Sequence, residues 1–503
     1  MVVAIGVVIA IGAVVGLTLL RPVLFTFVCG GLVVLIPTVV MRDPKPYWLF
    51  LLALSIPFDV SKRVTTWLVE PWMLYHEFGL PASGTLSLDF YLTDVILVAM
   101  LVPWLARLSL RRETFYFPKI GYIFVLYLAW ALFVSLIEAT SFYLAIFEWL
   151  REVLYFIAFL YLINNVTTRS QFRAITLALL IGLVISAGTV IVFFSMGIGT
   201  DSVALGGLYR QQENASETAH DTLYEQRSGE GSHTKRSSGL FVHPAHAAYY
   251  FEYILPIVLA YIVATRRRRD RLLFSTLFAV GLAALYMTFS RSGLVGLLVS
   301  CIAFIGIARW SELISRRAFA RCCLAFTLVA AVSTPVLIHF LTTRPETITK
   351  RMELLDTALA TYWQRPVIGA GLNNSSAVTE GAQSFARMAY GTQLRVTVVH
   401  NHYLVVLIEV GIVGFVLFFA FFWQTILTAF RHLRPADPEM RVLLAGIVSA
   451  MGGIAIHNFG DPFGGHVVQA MLWLYTALVF AICRRVRAEA VLPPAHRAVR
   501  SPS

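Results

Sequence analysis

The sequence is poor in charged residues and in cysteine for its length. Asp, Glu, Lys and Arg together make up only 14% of the 503 residues, whereas 58% are hydrophobic. Because a soluble globule of this size needs far more polar surface, the composition excludes a soluble protein. The five cysteines all lie within apolar segments, where a thiol behaves as a small hydrophobic group, so we predict neither a disulfide framework nor a zinc site.

Acidic residues are scarcer than basic ones, which gives the chain a net charge of +12. The basic residues lie mostly in short runs between apolar segments, and this pattern indicates membrane topology rather than nucleic-acid binding. We therefore predict no nucleic-acid partner. The first apolar stretch lacks a basic leading region and a clear small-residue cleavage site, so we expect it to be a retained helix.

Long apolar runs, by contrast, are abundant along the whole chain. Runs close to the ~20 residues that cross a bilayer predict an all-α, polytopic transmembrane helical bundle with about 12–14 spans. We expect residues 1–240 to form N-terminal spans with external loops. Residues 241–485 are expected to form a second block of spans, and residues 486–503 a cytoplasmic tail.

Clusters of basic residues follow five of these apolar runs. They are Arg107, Arg111, Arg112 and Lys119; Arg266 to Arg269 with Arg271; Arg309, Arg316, Arg317 and Arg321; Arg431, Arg434 and Arg441; and Arg484, Arg485 and Arg487. All five fall on one side if every run crosses, and an excess of Lys and Arg marks the cytoplasmic side. Three longer segments, 60–89, 197–245 and 341–401, then face outwards, which is the periplasm in a Gram-negative cell.

The segment 341–401 begins with a pattern typical of an amphipathic helix. Thr343 and Glu346 have the spacing of a capping box, and apolar residues then recur at helical spacing as far as Gln364, before Arg365-Pro366 stops the helix. Arg351 and Leu355 share one face of this helix. Two interpretations of Arg351 remain open, namely an arginine aimed at the membrane surface and a solvated arginine on an ordinary surface helix.

This external segment also carries more positive charge than the topology rule predicts for it. It contains six basic and four acidic residues, with Arg387 and Arg395 among the basic ones, and an anionic ligand would explain the excess. Arg291 lies in a second external turn, Phe289-Ser290-Arg291-Ser292-Gly293, close to bilayer depth. Its guanidinium group is suited either to clamping phosphate oxygens or to reaching lipid headgroups.

A polar cluster marks the point where this external segment re-enters the membrane. His400-Asn401-His402-Tyr403 precedes an apolar run, and polar groups at such a boundary suggest a functional site. A second cluster, which includes His457 and Asp461, follows the next apolar run. We expect these two residues either to line the same cavity or to cap the turn.

Three features of residues 240–480 resemble one known superfamily. They are Arg351 followed by Leu355; His400-Asn401 followed after nine residues by Gly411-Ile412-Val413-Gly414; and the upstream Phe-Ser-Arg-Ser-Gly turn. In these features the chain resembles the O-antigen ligases and Wzy-type polysaccharide polymerases. The resemblance implies a membrane glycosyltransferase that uses an undecaprenyl-diphosphate-linked glycan as donor in the bacterial inner membrane, with its active site facing the periplasm.

The resemblance also implies roles for individual residues. His400 would be the catalytic base or orienting group, because a histidine titrates near ~6.5 and can accept a hydroxyl proton. The remaining expected site residues are Arg291, Arg351 and Arg395 for the donor diphosphate, with Arg387, Asn401, His402, Tyr403, His457 and Asp461 lining the site or contacting the acceptor. An inverting reaction without metal or cofactor is expected. The expected partners are the lipid-linked donor, a glycan or lipid-linked acceptor, membrane lipids and a chain-length regulator.

The acceptor and the reaction class both leave alternatives. A polymerase transfers the glycan to another lipid-linked unit, and two long external segments, 197–245 and 341–401, favour it. A ligase transfers the glycan instead to lipid A-core or another terminal acceptor. A more distant alternative is an anion transporter, which would show inverted repeats and helices broken near the midplane; the sequence shows no convincing repeat.

Overall fold

Helices make up 80% of the chain that the computed structural model describes. The described residues are 40–41, 43–58, 61–63, 89–196, 226–227, 233–234, 236–241, 243–324, 345–378, 399–462 and 464–491. Within them, the only strands form two short antiparallel pairs, Ser61–Arg63 (β1) with Asp89–Tyr91 (β2) and Gln226–Arg227 (β3) with His233–Thr234 (β4). The predicted all-α fold class is confirmed.

The helices follow one another through short turns, except where longer segments intervene. They are α1 (Lys45–Ser55), α2 (Leu92–Ser109), α3 (Lys119–Glu138), α4 (Phe142–Asn165), α5 (Arg169–Met196), α6 (Pro244–Ala264), α7 (Arg268–Met287), α8 (Arg291–Trp310), α9 (Pro345–Gln364), α10 (Ser375–Val378), α11 (His402–Leu433), α12 (Pro438–His457) and α13 (His466–Val491).

Nine of the described helices are long and apolar enough to cross a membrane, namely α2, α3, α5, α6, α7, α8, α11, α12 and α13. The apolar run predicted at 147–163 is helix α4, which carries Glu148, Arg151 and Glu152 and for that reason does not belong to this set. The run at 47–59 forms only the short helix α1. Those at 3–19, 23–41 and 322–340 lie wholly or mostly outside the described residues.

Helix α6 lies at the centre of the bundle and packs against α7, α8, α12 and α13. Small residues allow the closest of these approaches. A Cβ atom at Gly453 of α12 would overlap the Ser300 hydroxyl and the Gly296 carbonyl of α8, whereas one at Gly452 would meet no atom within 4 Å. Gly453, unlike the adjacent Gly452, therefore allows α8 and α12 to approach each other closely.

The predicted grouping of the basic loops at one end of the bundle agrees with their contacts. The Arg434 side chain donates to the Trp310 carbonyl at 2.9 and 3.0 Å, and Arg487 Nε lies 3.2 Å from His432 Nε2. The Arg484 guanidinium lies 4.8 Å from the centre of the Tyr116 ring. These contacts bring together the last turns of α8, α11 and α13 and the loop after α2, and we call this the basic end of the bundle.

The direction of the helices places the predicted motifs at the opposite end. Helices α6, α8 and α11 all run towards the basic end, because their last residues precede the basic loops. Their first residues, Pro244, Arg291 and His402, therefore lie at the other end. This end holds both polar clusters and the Arg291 turn.

Candidate active site at the end opposite the basic loops

Side chains cap α6, α8 and α11, three of the helices that begin at this end. His243 Nδ1 accepts from the amide of Ala245 (3.0 Å), Ser290 Oγ from that of Gly293 (3.2 Å), and Asn401 Oδ1 from that of Leu404 (3.1 Å). The caps satisfy amides that have no partner inside their own helices and so fix where α6, α8 and α11 begin. Asn401, predicted as a site residue, thus has a structural task. Each of the three starts also carries the positive end of a helix dipole.

The turn between α12 and α13 joins the three helix starts. The Asn458 carbonyl accepts from the His402 amide of α11 (2.9 Å), and the Asn458 side chain accepts from the Tyr249 hydroxyl of α6 (2.9 Å). A Cβ at Gly460 would overlap the hydroxyl of Ser292, the residue that follows Arg291 on α8. The turn therefore lies directly beside the Arg291 hairpin, which the sequence alone does not reveal.

A row of alternating histidines and carboxylates runs from this turn into the bundle. His400 Nδ1 lies 3.3 Å from Asp461 Oδ1, and His457 Nε2 lies 3.3 Å from Asp461 Oδ2. On its other side, His457 Nδ1 lies 2.6 Å from Glu252 Oε2. The side chains of Glu252 and His457 are fully buried, whereas that of His400 is 38% exposed. We call these four residues the His–carboxylate row; only its outer member is open to a substrate.

The Asp461 carboxyl, which lies in the turn outside the spans, is anionic in this setting. Burial raises its pKa, but hydrogen bonds from His400 and His457, together with their charges, outweigh burial and hold the pKa well below its usual range. A carboxylate beside Nδ1 of His400 fixes the ring so that Nδ1 donates and Nε2 carries the lone pair. His400 can therefore accept a proton at the exposed side of its ring.

His243 and Arg236 border the same site. Burial, and then the charges of His246 and Arg236, lower the pKa of His243 to about 3. The charge of Asp461 raises this pKa and that of His400 lowers it. His243 is thus a neutral imidazole near neutral pH. Arg236 Nε donates to the Thr288 carbonyl (2.9 Å), just before the Arg291 hairpin. The sequence pattern did not single out Arg236, which adds positive charge here.

His402 and Tyr403, the other predicted residues of this motif, contact residues of α11, of α12 and of the turn after α12. The His402 ring packs edge-on against Phe418 and Phe419, with centroids 6.0 and 6.3 Å apart. The Tyr403 hydroxyl donates to the Ala455 carbonyl of α12 (2.6 Å), and its ring packs on Phe459 (4.4 Å). In this structure Tyr403 ties α11 to α12.

Helix α11 is broken at Gly411, whose φ of 62° and ψ of −174° are not helical. Groups outside the helix satisfy the backbone freed by this break. The bonds run from Ala370 N to Ile408 O (2.8 Å), from Gly371 N to Glu409 O (2.8 Å), from Trp130 Nε1 to Val410 O (2.9 Å) and from Ile412 N to Pro366 O (2.9 Å). Glycine at this position therefore admits the loop that follows α9.

The predicted amphipathic helix is α9, which runs from Pro345 to Gln364 and ends where the sequence indicates. Its Leu355, Ala358 and Tyr362 belong to a small apolar cluster with Leu404 and Ile408 of α11. Arg351 lies in α9 one turn before Leu355, but the position of its side chain lies outside the described part of the structure, as do Arg387 and Arg395 altogether. Helix α9 and its loop are therefore anchored on the outer turns of α11.

Besides Arg236, two further residues of the site had not been predicted from the sequence. Glu252 lies in the apolar run 246–264, where an ionisable residue is costly and suggests function, and this signal was available in the sequence. Tyr249 gave no such signal, although its ring stacks on His457 at 3.7 Å with only 5° between the planes. Within the described residues, no group of three or more His, Cys, Asp or Glu has an arrangement that could hold a metal ion.

One family of known proteins matches the chain. Residues 276–419 match the family model of O-antigen ligases, a span shorter than half of the chain. It includes Arg291, Arg351 and His400 but neither Glu252 nor the turn with Asp461. The predicted resemblance to the O-antigen ligase and Wzy-type superfamily is confirmed over this span. No curated protein matches the chain.

Proposed function

We propose that this multi-pass membrane protein is a glycosyltransferase that joins undecaprenyl-diphosphate-linked oligosaccharide units, and that His400 is its catalytic base. The observation that carries the proposal is the contact of His400 with Asp461 beside the Arg291 hairpin, at the end of the bundle that lacks the basic loops. The family match over residues 276–419 supports the same class of reaction. By the charge rule, this end faces the periplasm of the bacterial inner membrane.

The reaction needs a base and an electrostatic partner for the leaving group. His400 Nε2 would take the proton of an acceptor hydroxyl while that oxygen bonds to the anomeric carbon of the donor. The bond from this carbon to the lipid diphosphate breaks in the same step, and the electron pair leaves with the diphosphate. A single displacement of this kind inverts the configuration at the anomeric carbon. Asp461 would stabilise the imidazolium that His400 becomes.

The leaving diphosphate needs positive charge, and several features at this end supply it. Arg291 begins α8, and Arg236 bonds to the Thr288 carbonyl just before that helix. The starts of α6, α8 and α11 add the positive ends of their dipoles. We propose Arg291 as a diphosphate ligand, together with Arg351, Arg395 and Arg387 from the segment around α9.

Replacing Arg291 with glutamine is expected to lower kcat/KM for the lipid-linked donor by roughly 10–100-fold. This is the loss expected when one charge-assisted hydrogen bond to phosphate is removed. Transfer rates measured at several donor concentrations test the prediction. Arg309→Gln, in the last turn of the same helix and at the basic end, is the matched control and should transfer at the wild-type rate. Equal rates for the two variants would remove Arg291 from the site.

The acceptor distinguishes a polymerase from a ligase. The long segments 197–245 and 341–401 favour a polymerase that holds two glycans, and a chain-length regulator would then be a natural partner. The name of the matching family, O-antigen ligase, favours transfer to lipid A-core or another terminal acceptor. We propose the polymerase as the first function to test and the ligase as the second.

Purified protein incubated with lipid-linked oligosaccharide alone, and then with a distinct acceptor, decides between them. A ladder of products that forms from the donor alone would establish a polymerase. Transfer that occurs only when the second acceptor is present would establish a ligase. If neither product forms, but sealed vesicles that contain the protein take up an anion, then the protein is a transporter and the proposed function is wrong.

A further inference from the structure

The two innermost members of the His–carboxylate row are closed off from the surface, and one of them, His457, contacts the carboxylate that holds His400. Glu252 and His457 lie wholly inside the protein, one on α6 and one at the end of α12. A buried carboxylate and a buried imidazole are both costly unless they compensate each other. Their pairing at 2.6 Å offsets part of this cost and suggests that the pair has a function.

The geometry around His457 indicates which charge it carries. Its Nδ1 faces Glu252 Oε2 and its Nε2 faces Asp461 Oδ2, so both ring nitrogens point at carboxylate oxygens. A neutral imidazole has a single N–H and would direct its lone pair at one of these oxygens. The doubly protonated ring satisfies both contacts. The parallel Tyr249 ring, 3.7 Å away, also favours a cation at this position.

The packing of α8 is adapted to this carboxylate. A Cβ at Gly296 would overlap the Glu252 carboxylate, so glycine at that position leaves room for the acid between α6 and α8. Asp461, on the other side of His457, bonds to His400 with its second oxygen. The charge of Glu252 thus acts on His457, that of His457 on Asp461, and that of Asp461 on His400.

We propose that Glu252 holds His457 as a buried imidazolium, and that this cation, acting through Asp461, keeps His400 neutral and able to accept a proton. Without the cation, the Asp461 carboxylate would stand alone beside His400 and stabilise a second proton on its ring. His400 would then be blocked as a base at moderately acidic pH. Glu252 and His457 are positioning residues here, and the inference rests on the proposed function because it concerns the base of that reaction.

Other charged and titratable groups near the His–carboxylate row also influence the protonation of His400. They are His243 and His246 at the start of α6, Arg236 before it, and Arg291, which precedes the Ser292 that lies beside the Asp461 turn. None of them lies between Glu252 and Asp461, where His457 makes both contacts. Substitutions of Glu252 or His457 therefore change the charge beside Asp461 and leave these groups in place.

The test is the pH dependence of glycan transfer in His457→Gln, Glu252→Gln and the double variant. The amide introduced by His457→Gln can still donate to Asp461 but carries no charge, and Glu252→Gln removes the carboxylate that keeps His457 protonated. Each single variant should move the acidic limb of the profile upwards by about one pH unit. The double variant should move it no further, because both changes remove the same cation.

A merely structural role predicts a different result, namely a lower rate at every pH with an unmoved acidic limb. An unmoved limb in both single variants, or a downward shift, overturns the proposal. Glu152→Gln is the matched control, since it removes another buried carboxylate, on α4, which interacts with Glu148 and not with the row. It should leave the limb where it is.

A second measurement does not depend on transfer activity. Diethylpyrocarbonate acylates an imidazole in its neutral form but not in its protonated form, and His400 is the exposed member of the row. Mass spectrometry of the modified protein gives the pH at which His400 begins to react, and this pH should rise in His457→Gln and Glu252→Gln. If the wild-type protein transfers no glycan, the proposed function fails, but this measurement still decides whether Glu252 and His457 control His400.

Discussion

Replacing His400 with glutamine is expected to lower the rate of glycan transfer by roughly 10²–10⁴-fold, the usual contribution of a general base. Glutamine keeps much of the size of the side chain and can still donate to Asp461, but it cannot take a proton from an acceptor hydroxyl. The effect should therefore fall on kcat, with little change in KM for the donor. Single-turnover transfer from a lipid-linked oligosaccharide measures it.

His432→Gln is the matched control for this substitution. His432 lies on the same helix, α11, but at its basic end, where its Nδ1 is 2.8 Å from the Thr428 carbonyl. Its replacement should leave transfer within the range of the wild type. If the two variants behave alike, or if the His400 variant keeps full activity while folded, then His400 is not the base and another group must take the proton.

Replacing Gly411 with alanine is expected to prevent α11 and the loop after α9 from assembling. The backbone of Gly411 adopts a conformation that is almost confined to glycine, and strain alone costs about 1–3 kcal/mol. A Cβ there would also overlap the Val367 carbonyl, which belongs to the loop that fills the break. We expect a large fall in the midpoint temperature of unfolding in detergent, or failure to accumulate folded protein.

Gly306→Ala is the matched control, because it makes the same substitution at a position with space for a side chain. Gly306 lies on α8, and a Cβ at this position would meet no atom within 4 Å. Its midpoint temperature should equal or slightly exceed that of the wild type, because alanine favours the helix. A Gly411→Ala protein as stable as this control would mean that the break in α11 is not required by the fold.

The break at Gly411 also bears on the transporter alternative, which predicts broken helices. In such proteins the freed backbone groups bind the transported ion or substrate. Here the carbonyls of residues 408–410 accept hydrogen bonds from the loop after α9 and from Trp130. The break thus holds the external loop in place on α11, a few turns from His400. This arrangement favours a fixed reaction site at the end of the bundle.

Much of the architecture followed from the sequence alone. The scarcity of charge and the length of the apolar runs determined an all-α membrane bundle, since backbone polar groups in lipid must be satisfied within each helix. The basic clusters determined which loops share one end, and the contacts of Arg434, Arg484 and Arg487 agree. Arg365-Pro366 marked where α9 ends. These features are local, so sequence carries them.

The sequence also marked His400 and the Arg291 turn, but it could not decide what they touch. Whether His457 and Asp461 capped a turn or joined His400 depended on how α6, α11 and α12 pack, and only the tertiary structure decided it. Glu252, more than 140 residues before His400 in the chain, enters the site for the same reason. Side chains so far apart in sequence meet only when helices pack, and local patterns carry no information on that packing.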